Sequence, residues 1–504
     1  MISDPGTTSS HQGDGRSSIT ERPSEEMHLE SQVVDEKKDD SDPNLVTWNG
    51  PDDPENPYNW PRGKKVGYLA LLSITSLYSQ LASTMFAPGA KQLVDEFHVT
   101  SSIEATFTVS IYVLGFAIGP VFIAPMSELY GRYIIYQTCN LLYFGFTLGC
   151  AFSANIAQFL VFRILCGLAA SGPLTIGGGT IADFTPQEER GRAIALFGVG
   201  PLLGPVLGPV IGGFVSERVG WRWSFRIIAI LAGVVGVITF IFMRETKASV
   251  LLSRKAQRLR KETGNERLHT GLKVPGTPAE ILLRSITRPV KILIYSPIVV
   301  ILSLYTGLMF GLSYLLFTTF PQVFEGTYGF STGTSGLSYL GLGTGFFASL
   351  FLFARLSDKL LKQKRGATVA RPEERLILMK WFAPICPAGI FIYAWTVNEH
   401  IHWIVPIIGT FLIGFSTLFV VLPVQGYFVD AFGPEAAASA LAANYLIRSP
   451  FGAFLTFAAP PLYSKLGLGW GNSVLGFICL AFTPVPWLFY YYGERIRIRF
   501  PIKL

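Results

Sequence analysis

The sequence predicts an all-α polytopic membrane protein with twelve transmembrane helices in two pseudo-symmetric six-helix bundles. Half of its 504 residues are hydrophobic and only 15% are charged, whereas roughly a quarter of the residues are charged in soluble domains. The charges are clustered, and most of the apolar stretches between them reach the ~20 residues that a helix needs to cross a bilayer. A basic segment, 244–291, separates these stretches into two sets of six.

Each predicted span is an apolar stretch bounded by charges or turn residues. The stretch 133–162 is long enough for one span and a turn around Ser153 and Asn155, so the next span continues to about residue 182. The eleventh span, 437–462, contains one charge, Arg448. The other stretches are 66–90, 105–127, 164–182, 193–216, 227–243, 292–324, 326–354, 381–398, 400–429 and 466–493.

Charge and turn residues divide the chain into regions. The segment 244–291 holds twelve Lys or Arg against four Glu, and the positive-inside rule therefore places it in the cytoplasm, together with both chain termini. Within it, the run 249–268 predicts a basic amphipathic helix. The predicted regions are a disordered cytoplasmic tail (1–47), a turn-rich surface segment (48–65), an N-terminal bundle (66–243), a basic cytoplasmic linker (244–291), a C-terminal bundle (292–493) and a cytoplasmic tail (494–504).

The most specific motif, GVGPLLGPVLGPVIGG, lies in the fifth predicted span. Its glycines recur at every fourth position, so they share one helix face and form a groove for a neighbouring backbone. Each proline removes a backbone donor, which favours a bend or hinge. Tight packing would explain the glycines but not three successive Gly-Pro pairs. The predicted hinge residues are Gly200, Pro201, Gly204, Pro205, Gly208, Pro209, Gly212 and Gly213.

Charged residues follow the second and the eighth predicted span. The first of these turns contains Glu128, Gly131 and Arg132, and Asp358 follows Glu128 by 230 residues in the second half. An ion pair at the point where the chain leaves the membrane must break when that side opens, so these four residues are predicted to form a gating latch. Ordinary snorkelling charges beside a turn glycine are the alternative.

A permanently charged side chain, Arg163, lies about six residues inside the fourth span, at a depth of roughly 9 Å by helix rise. It must face the bundle interior or water and find partners for its donors. Asp183 closes the same helix about 30 Å away by the same rise, too far to pair with Arg163. Arg163 and Asp183 are the candidate proton-coupling residues, and a purely structural Arg163 is the alternative.

Together these motifs resemble those of the major facilitator superfamily, in its twelve-span drug:proton antiporter branch as found in fungi. The run 204–213 is similar to the antiporter motif of that branch's fifth helix, and 119–132 is similar to its loop motif. Arg163 and Gly167 match its fourth-helix motif. Further similar segments are 52–60, 182–193, 220–225 and 244–264.

The resemblance implies roles for these residues. In the family the loop acid and arginine, here Glu128 and Arg132, help to latch the cytoplasmic side, and the fourth-helix arginine, here Arg163, takes part in proton coupling. The fifth-helix Gly-Pro motif is associated with export rather than uptake. Glu128 stands where the family usually has Asp. Tyr133 stands where a basic residue is usual, and this second departure predicts a weaker latch.

A substrate cavity is expected between the two halves, near the bilayer midplane. Arg448 lies about halfway along its span, where an unpaired charge is least tolerable. No carboxylate lies at comparable depth in spans one, seven or eleven, so we hypothesise a neutral or anionic amphiphile with Arg448 as its electrostatic anchor. Pairing of Arg448 with backbone carbonyls, Asp430 or Glu435 is the alternative. The candidate cavity residues, each also able to make an ordinary interhelical hydrogen bond, are Gln80, Thr84, Tyr305, Tyr314, Gln425, Asn444 and Arg448.

These features predict proton-driven export of small organic molecules, such as drugs, toxins or secondary metabolites, by a monomeric multi-pass protein of the plasma membrane. An uptake carrier or facilitator for a sugar, organic acid or polyamine is the alternative, and the Gly-Pro motif argues against it. The sequence does not identify the proton carrier among its acids. The expected partners are the small-molecule substrate, the proton and the lipid bilayer.

Other function classes are disfavoured by the sequence. The six histidines are scattered and no nucleophile constellation is visible, so an enzyme is not expected. No phosphate-binding P-loop is present, which excludes an ATP-driven pump. The five cysteines lie within predicted spans without metal-ligand spacing, so no cofactor or metal site is predicted. The net charge of +7 follows from the membrane topology and requires no nucleic-acid partner.

Overall fold

The computed structural model describes residues 42–271, 277–365 and 371–500. For residues 187, 188, 278, 358–365, 434, 435 and 438 it describes the backbone alone. The described residues form helices joined by short turns, with one isolated β-bridge between Leu45 and His269.

Seven helices build the first half of the molecule. Ser101 and Asn155 accept hydrogen bonds from backbone N–H groups three residues ahead and so cap helices α3 and α5. Gly131 and Gly220 adopt positive φ angles, which allows the short connections between α3 and α4 and between α6 and α7. The helices are α1 (Arg62–Met85), α2 (Ala90–Glu96), α3 (Ser102–Tyr130), α4 (Arg132–Ala151), α5 (Ile156–Phe184), α6 (Gln187–Val219) and α7 (Arg222–Phe242).

Two helices lie in the connection between the halves. Helix α8 (Ala248–Thr263) is the predicted basic amphipathic helix, and α9 (Pro278–Tyr295) follows it. The turn-rich segment before α1 packs on α8, where Lys255 and Asp53 form a buried ion pair at 3.2 Å. Helix α8 is therefore attached to the protein through this segment as well as through its own connections.

The described residues of the second half form eight helices. Two of them are broken at glycines with positive φ: α15 at Gly433 and α16 at Gly467. Helix α15 therefore has two limbs, 404–432 and 434–454. The helices are α10 (Pro297–Tyr328), α11 (Thr332–Ser335), α12 (Tyr339–Arg365), α13 (Ile377–Phe382), α14 (Ile385–Asn398), α15 (Ile404–Phe454), α16 (Ala459–Phe482) and α17 (Val485–Arg499).

Ten stretches of the described residues are long and apolar enough to cross a membrane. One of these, 439–499, contains the end of α15 together with α16 and α17, and its helical course is broken at Gly467. Helix α4, with 20 residues, is not among the ten, yet it packs between α5 and α7. This arrangement is consistent with the predicted twelve spans.

Two boundaries differ from those expected from the sequence. Helix α1 begins at Arg62, so the last four residues of the turn-rich segment 48–65 are already helical. Residue 292, the expected start of the second bundle, lies inside α9, and the break follows at Ser296. Ser296 caps α10 and Pro297 occupies its first turn, where the missing N–H costs nothing.

The turns of the bundle lie on two opposite sides. We call the side that holds α8 and α9 the linker side, and the side that holds the turns 86–101 and 329–338 the far side. The two halves touch near the far side, where Phe107 of α3 packs on Phe457 with ring centroids 4.4 Å apart. They also touch where α6 packs on α11 and α12.

Candidate functional site

A chain of polar and aromatic contacts joins the two halves at the centre of the bundle. The Arg163 guanidinium donates to the Ser83 carbonyl oxygen at 3.1 Å. The Ser83 hydroxyl in turn lies 3.4 Å from the hydroxyl of Tyr314, which belongs to α10 of the second half. Arg163 is 1% exposed and lies over the rings of Tyr112 and Phe225. Tyr314 is thus the point at which the second half approaches Arg163.

Arg448 lies on the other side of Tyr314. Its guanidinium packs on the rings of Phe310 and Tyr445, 4.6 and 4.4 Å from their centroids. The Phe310 ring lies 4.9 Å from that of Tyr314. Two buried guanidinium groups, one in each half, therefore flank one tyrosine. Among the described atoms, the Nε of Arg448 has no hydrogen-bond acceptor.

The alternative partners of Arg448 are only partly described. The described ion pair of Asp430 is with Arg375, at 2.6 Å, so this carboxylate is engaged elsewhere. The side chain of Glu435 lies outside the described part of the chain. Arg448 is consequently held by aromatic rings rather than by any described carboxylate.

The other predicted cavity residues fall into two groups. Gln80 and Thr84 lie on α1 beside α6, and the Thr84 hydroxyl donates to the Pro205 carbonyl at 3.3 Å. Asn444 donates to the hydroxyls of Ser303 and Thr306, an interhelical bond within the second half. Gln425 is half-buried on α15.

Tyr305 is not brought to the centre. Its side chain is fully buried in the second half, and its ring packs on Phe482 with centroids 5.4 Å apart. The sequence alone could not separate Tyr305 from Tyr314, because both lie within α10, where they present opposite faces and differ in depth by about 14 Å.

The predicted latch residues meet on the linker side. Arg132 forms ion pairs with Glu128 at 2.8 Å and with Asp183 at 3.1 Å, and it donates to the Ser127 hydroxyl at 2.7 Å. Asp183, a proton-coupling candidate that the sequence places too far from Arg163 to pair with it, pairs with Arg132. Both lie on the linker side, where α5 ends and α4 begins.

Two residues of this latch were not predicted. Lys247 forms an ion pair with Glu128. Glu245 accepts hydrogen bonds from the backbone N–H groups of Arg132 and Tyr133, so its carboxylate caps the start of α4. Both lie in the run RETK at 244–247, which resembles a segment of the family. That resemblance is the feature of the sequence that could have pointed to these two residues.

The geometry of the latch explains why position 131 is a glycine. Its φ is 98°, and a Cβ at this position would lie 2.7 Å from the Glu245 carboxyl carbon. The side chain of Asp358, predicted as the corresponding residue of the second half, lies outside the described residues. The described latch therefore joins α3, α4, α5 and the linker. All of these belong to the first half or to the segment that follows it.

The glycine face of α6 packs against α1, as the groove interpretation predicts. A Cβ on Gly204 would lie 2.6 Å from the Leu81 nitrogen, and one on Gly208 would lie 2.7 Å from the Leu81 carbonyl oxygen. Gly200 and Gly212 meet the carbonyls of Ser73 and Met85 in the same way. The prolines do not interrupt the helix, which runs continuously from Gln187 to Val219. Pro209 and Gly213 instead face α11 and its surroundings in the second half.

A cavity of about 640 Å³ opens between the halves on the far side. Its first-half wall comes from the turn after α1, from α2 and from the start of α3. Its second-half wall comes from the end of α10, the turn after α15 and the start of α16. Charged residues of the lining are Lys91, Asp95 and Glu325. The five cysteines are buried and free, and the described residues contain no group suited to a metal ion.

Comparison with known proteins decides the family. The model described as Major Facilitator Superfamily matches residues 72–457. The chain belongs to the major facilitator superfamily. This family membership confirms the resemblance drawn from the Gly-Pro, loop and fourth-helix motifs.

Several superfamily transporters from fungi are similar over nearly their whole length. The chain is 65% identical over 472 residues to MFS transporter fsa7 of Fusarium sp. (strain FN080326), covering 94% of this chain and 92% of the relative. It is 63% identical to MFS-type transporter MFS19 of Alternaria alternata, with 91% and 94% covered. It is 57% identical to the Trichosetin biosynthesis cluster MFS transporter of Gibberella fujikuroi, with 96% and 95% covered.

Solved structures of the superfamily share the fold. A D-xylose-proton symporter has a TM-score of 0.65 at 16% identity, with 84% of this chain and 97% of that chain covered. A partially occluded inward-open form of the xylose transporter XylE from E. coli has a TM-score of 0.63 at 17% identity, covering 85% and 98%. These likenesses confirm the predicted all-α polytopic superfamily fold.

Proposed function

We propose that this chain is a proton-coupled exporter of small organic amphiphiles that are neutral or anionic. The observation that carries the proposal is the pair of buried guanidinium groups, Arg163 and Arg448, on either side of Tyr314. The spans that approach them contain no Asp or Glu at that depth, as 66–86, 297–324 and 436–460 show. A buried positive field without a fixed counter-charge attracts a ligand that supplies acceptors or negative charge.

The printed names of the relatives support export of a biosynthetic product. One relative is named as the transporter of the trichosetin biosynthesis cluster, and such a carrier would remove a product that the cell itself makes. The Gly-Pro face of α6 is in keeping with export through the family resemblance. We therefore assign secondary metabolites as the first substrate class, with drugs and toxins as further candidates.

The proposal also includes an orientation. The excess of Lys and Arg in 244–291 favours placing the linker side in the cytoplasm. The far-side cavity would then face the cell exterior, across the plasma membrane. The protein would act as a monomer, because each half supplies one arginine and the central site needs no second copy.

A transport assay tests the proposal directly. Yeast cells with and without the protein are loaded with trichosetin as the probe, and cell-associated trichosetin is followed with and without a protonophore. We expect lower accumulation in cells that carry the protein, and we expect the protonophore to remove that difference. Higher accumulation in those cells would favour the uptake alternative. An effect that survives the protonophore would contradict proton coupling.

A further inference from the structure

A buried lysine of the second half lies within a group of aromatic rings. Lys380 of α13 is only 6% exposed. Its Nζ lies between 4.3 and 5.5 Å from the centroids of four rings. These rings belong to Trp381, beside it on α13, and to Trp487, Tyr490 and Tyr491 of α17. We call this group, with the lysine itself, the lysine patch.

The ammonium of Lys380 has no carboxylate partner in the part of the chain that the structure describes. Aromatic faces stabilise a positive charge, but they do not replace the strong acceptors that its three N–H groups can bind. Basic residues nearby obtain such acceptors from the protein. Arg371 pairs with Glu494, and Arg497 pairs with Glu373, each at 3.2 Å. Lys380 therefore still lacks the negative charge that these neighbours have.

The lysine patch lies near the linker-side surface of the membrane. Arg497, near the end of α17, shares a cavity of about 340 Å³ with Ser296, which lies between α9 and α10. This end of α17 is therefore on the linker side. Trp487 and Tyr490 precede Arg497 by ten and seven residues, which is roughly 10–15 Å along the helix. Tryptophan and tyrosine are enriched at the level of membrane proteins where lipid headgroups meet the hydrocarbon.

Several rings of the lysine patch are open to the surroundings of the bundle. Trp381 and Tyr491 are 63% and 62% exposed, and Trp487 is 37% exposed. The Trp381 and Trp487 rings meet edge to face, with centroids 5.7 Å apart. Because these helices cross the bilayer, the molecules that cover such a surface are membrane lipids. The exposed rings and the ammonium among them therefore offer a lipid both apolar contact and positive charge.

We propose that the lysine patch binds an anionic phospholipid of the linker-side leaflet, with the Lys380 ammonium on the lipid phosphate. Phosphate oxygens supply both the negative charge and the acceptors that the protein does not provide here. Basic sites between helices at this level suit acidic headgroups. A zwitterionic choline headgroup fits less well, because its own cation approaches Lys380. The acyl chains run along the exposed rings of Trp381 and Tyr491.

Native mass spectrometry of the full chain, purified in detergent, tests this site. Phosphatidylglycerol and phosphatidylcholine with identical acyl chains are titrated separately, and the dissociation constant of the first bound lipid is measured. We expect the parent protein to prefer phosphatidylglycerol. Lys380→Gln should weaken phosphatidylglycerol binding by about fivefold, which is the contribution of one basic side chain at a membrane surface. Phosphatidylcholine binding should not change, and Lys380→Arg, which keeps the charge, should retain the preference.

Two controls accompany this measurement. Lys465→Gln removes the same charge from an exposed lysine beside the far-side break at Gly467, so its lipid preference should match that of the parent. Glycerol 3-phosphate carries a phosphate without acyl chains, and it should not displace bound phosphatidylglycerol. Displacement by this competitor would identify a free phosphate ester as the ligand and overturn the assignment to a lipid.

Two further results would reject the inference: a Lys380→Gln protein with the parental lipid preference, or an equal loss of preference in Lys465→Gln. If Lys380→Gln does not fold, tryptophan fluorescence in nanodiscs decides. Phosphatidylglycerol with brominated chains should quench the parent more than equally abundant brominated phosphatidylcholine. The double variant Trp381→Phe, Trp487→Phe should abolish that difference, and a difference that is absent from the parent or survives in this variant would reject the site. Lipid binding is measured without transport, so this outcome is independent of the export assay.

Discussion

Arg132 shows how one residue can organise a whole corner of the molecule. Its guanidinium is 7% exposed and reaches two carboxylates and a hydroxyl, while its backbone N–H is bound by the Glu245 carboxylate. A planar group with five donors suits this arrangement, since three acceptors approach from two helices, α3 and α5. Tyr133, which departs from the family pattern, donates its N–H to the same Glu245 carboxylate.

Substitution of Arg132 should therefore destabilise the protein. Arg132→Ala leaves the mostly buried Asp183 without its counter-charge, and we expect a loss of roughly 3–5 kcal/mol of unfolding free energy. Arg132→Lys should lose less, because it keeps the charge but cannot reach all three acceptors. Thermal unfolding in detergent measures both, with exposed Arg218→Ala as the control. An Arg132→Ala protein as stable as that control would rule out this account of the latch.

Arg448 allows a prediction about the charge of the substrate. If it anchors anionic amphiphiles, Arg448→Ala should reduce export of acidic compounds by about tenfold or more, since a charged hydrogen bond contributes roughly 1.5–3 kcal/mol. Export of cationic compounds should fall much less. The measurement compares initial export rates of one acidic and one cationic probe in the same cells. Equal loss of both would show that Arg448 serves packing alone.

At the scale of elements, α6 has two different faces. Its four-residue glycine repeat packs on α1 within the first half, whereas Pro209 and Gly213 meet the second half. The motif thus combines a close contact inside one half with a contact to the other half. The three prolines remove backbone donors from α6 without breaking its course.

The glycine face gives a matched pair of variants on one helix. A Cβ on Gly204 would lie 2.6 Å from backbone and side-chain atoms of α1, whereas one on Gly198 meets nothing within 4 Å. We expect Gly204→Ala to cost about 1–3 kcal/mol through overpacking and to lower transport. Gly198→Ala should be neutral or slightly stabilising, since alanine favours the helix. Thermal unfolding and export rates check both, and indistinguishable variants would contradict close α1–α6 packing.

At the scale of the whole molecule, the segment before α1 connects the linker to the first half. The side chains of Asp53 and Lys255 are only 2% and 4% exposed, and the Tyr58 hydroxyl donates to the Ala182 carbonyl beside the latch. Burial alone would raise the pKa of Asp53. The N–H groups of Asn49 and Glu55 and the Lys255 ammonium outweigh burial, so the pKa lies below its ordinary value of 3.8.

Because the pKa of Asp53 is lowered in the folded protein, the attachment of the linker through Asp53 and Lys255 should depend on pH. Between the pKa of Asp53 in the folded protein and its pKa in the unfolded chain, the unfolded chain binds more protons. The contribution of Asp53 to the stability of the folded protein is therefore complete above about pH 4–5 and is lost as the pH falls through the folded pKa. Asp53→Asn should imitate that loss at pH 7.5. We expect faster trypsin cleavage within 254–267, where the linker carries several Lys and Arg.

The neighbouring exposed acid provides the control for this experiment. Asp52→Asn removes the same charge one residue away, at a side chain without burial. Its cleavage rate should match that of the parent. Equal cleavage of the Asp53→Asn protein and this control would contradict a structural attachment through the buried pair.

The sequence by itself determined the class of protein, the number of halves and the most specific motifs. Three of the predictive features are local properties of the chain: apolar stretches of sufficient length, the basic segment between them and a glycine at every fourth position. Each of them indicates one kind of structure. The latch residues Glu128 and Arg132 lie four positions apart, so their proximity also followed from sequence.

Only the tertiary structure decided which distant residues meet. Asp183 joins Arg132, Glu245 caps α4, and Tyr314 rather than Tyr305 reaches the first half. Glu217 contacts α11 across the two halves, although 114 residues separate it from Ser331. Helix rise gives the depth of a side chain from sequence, but its partner depends on helix rotation and packing, which the order of residues along one helix does not contain.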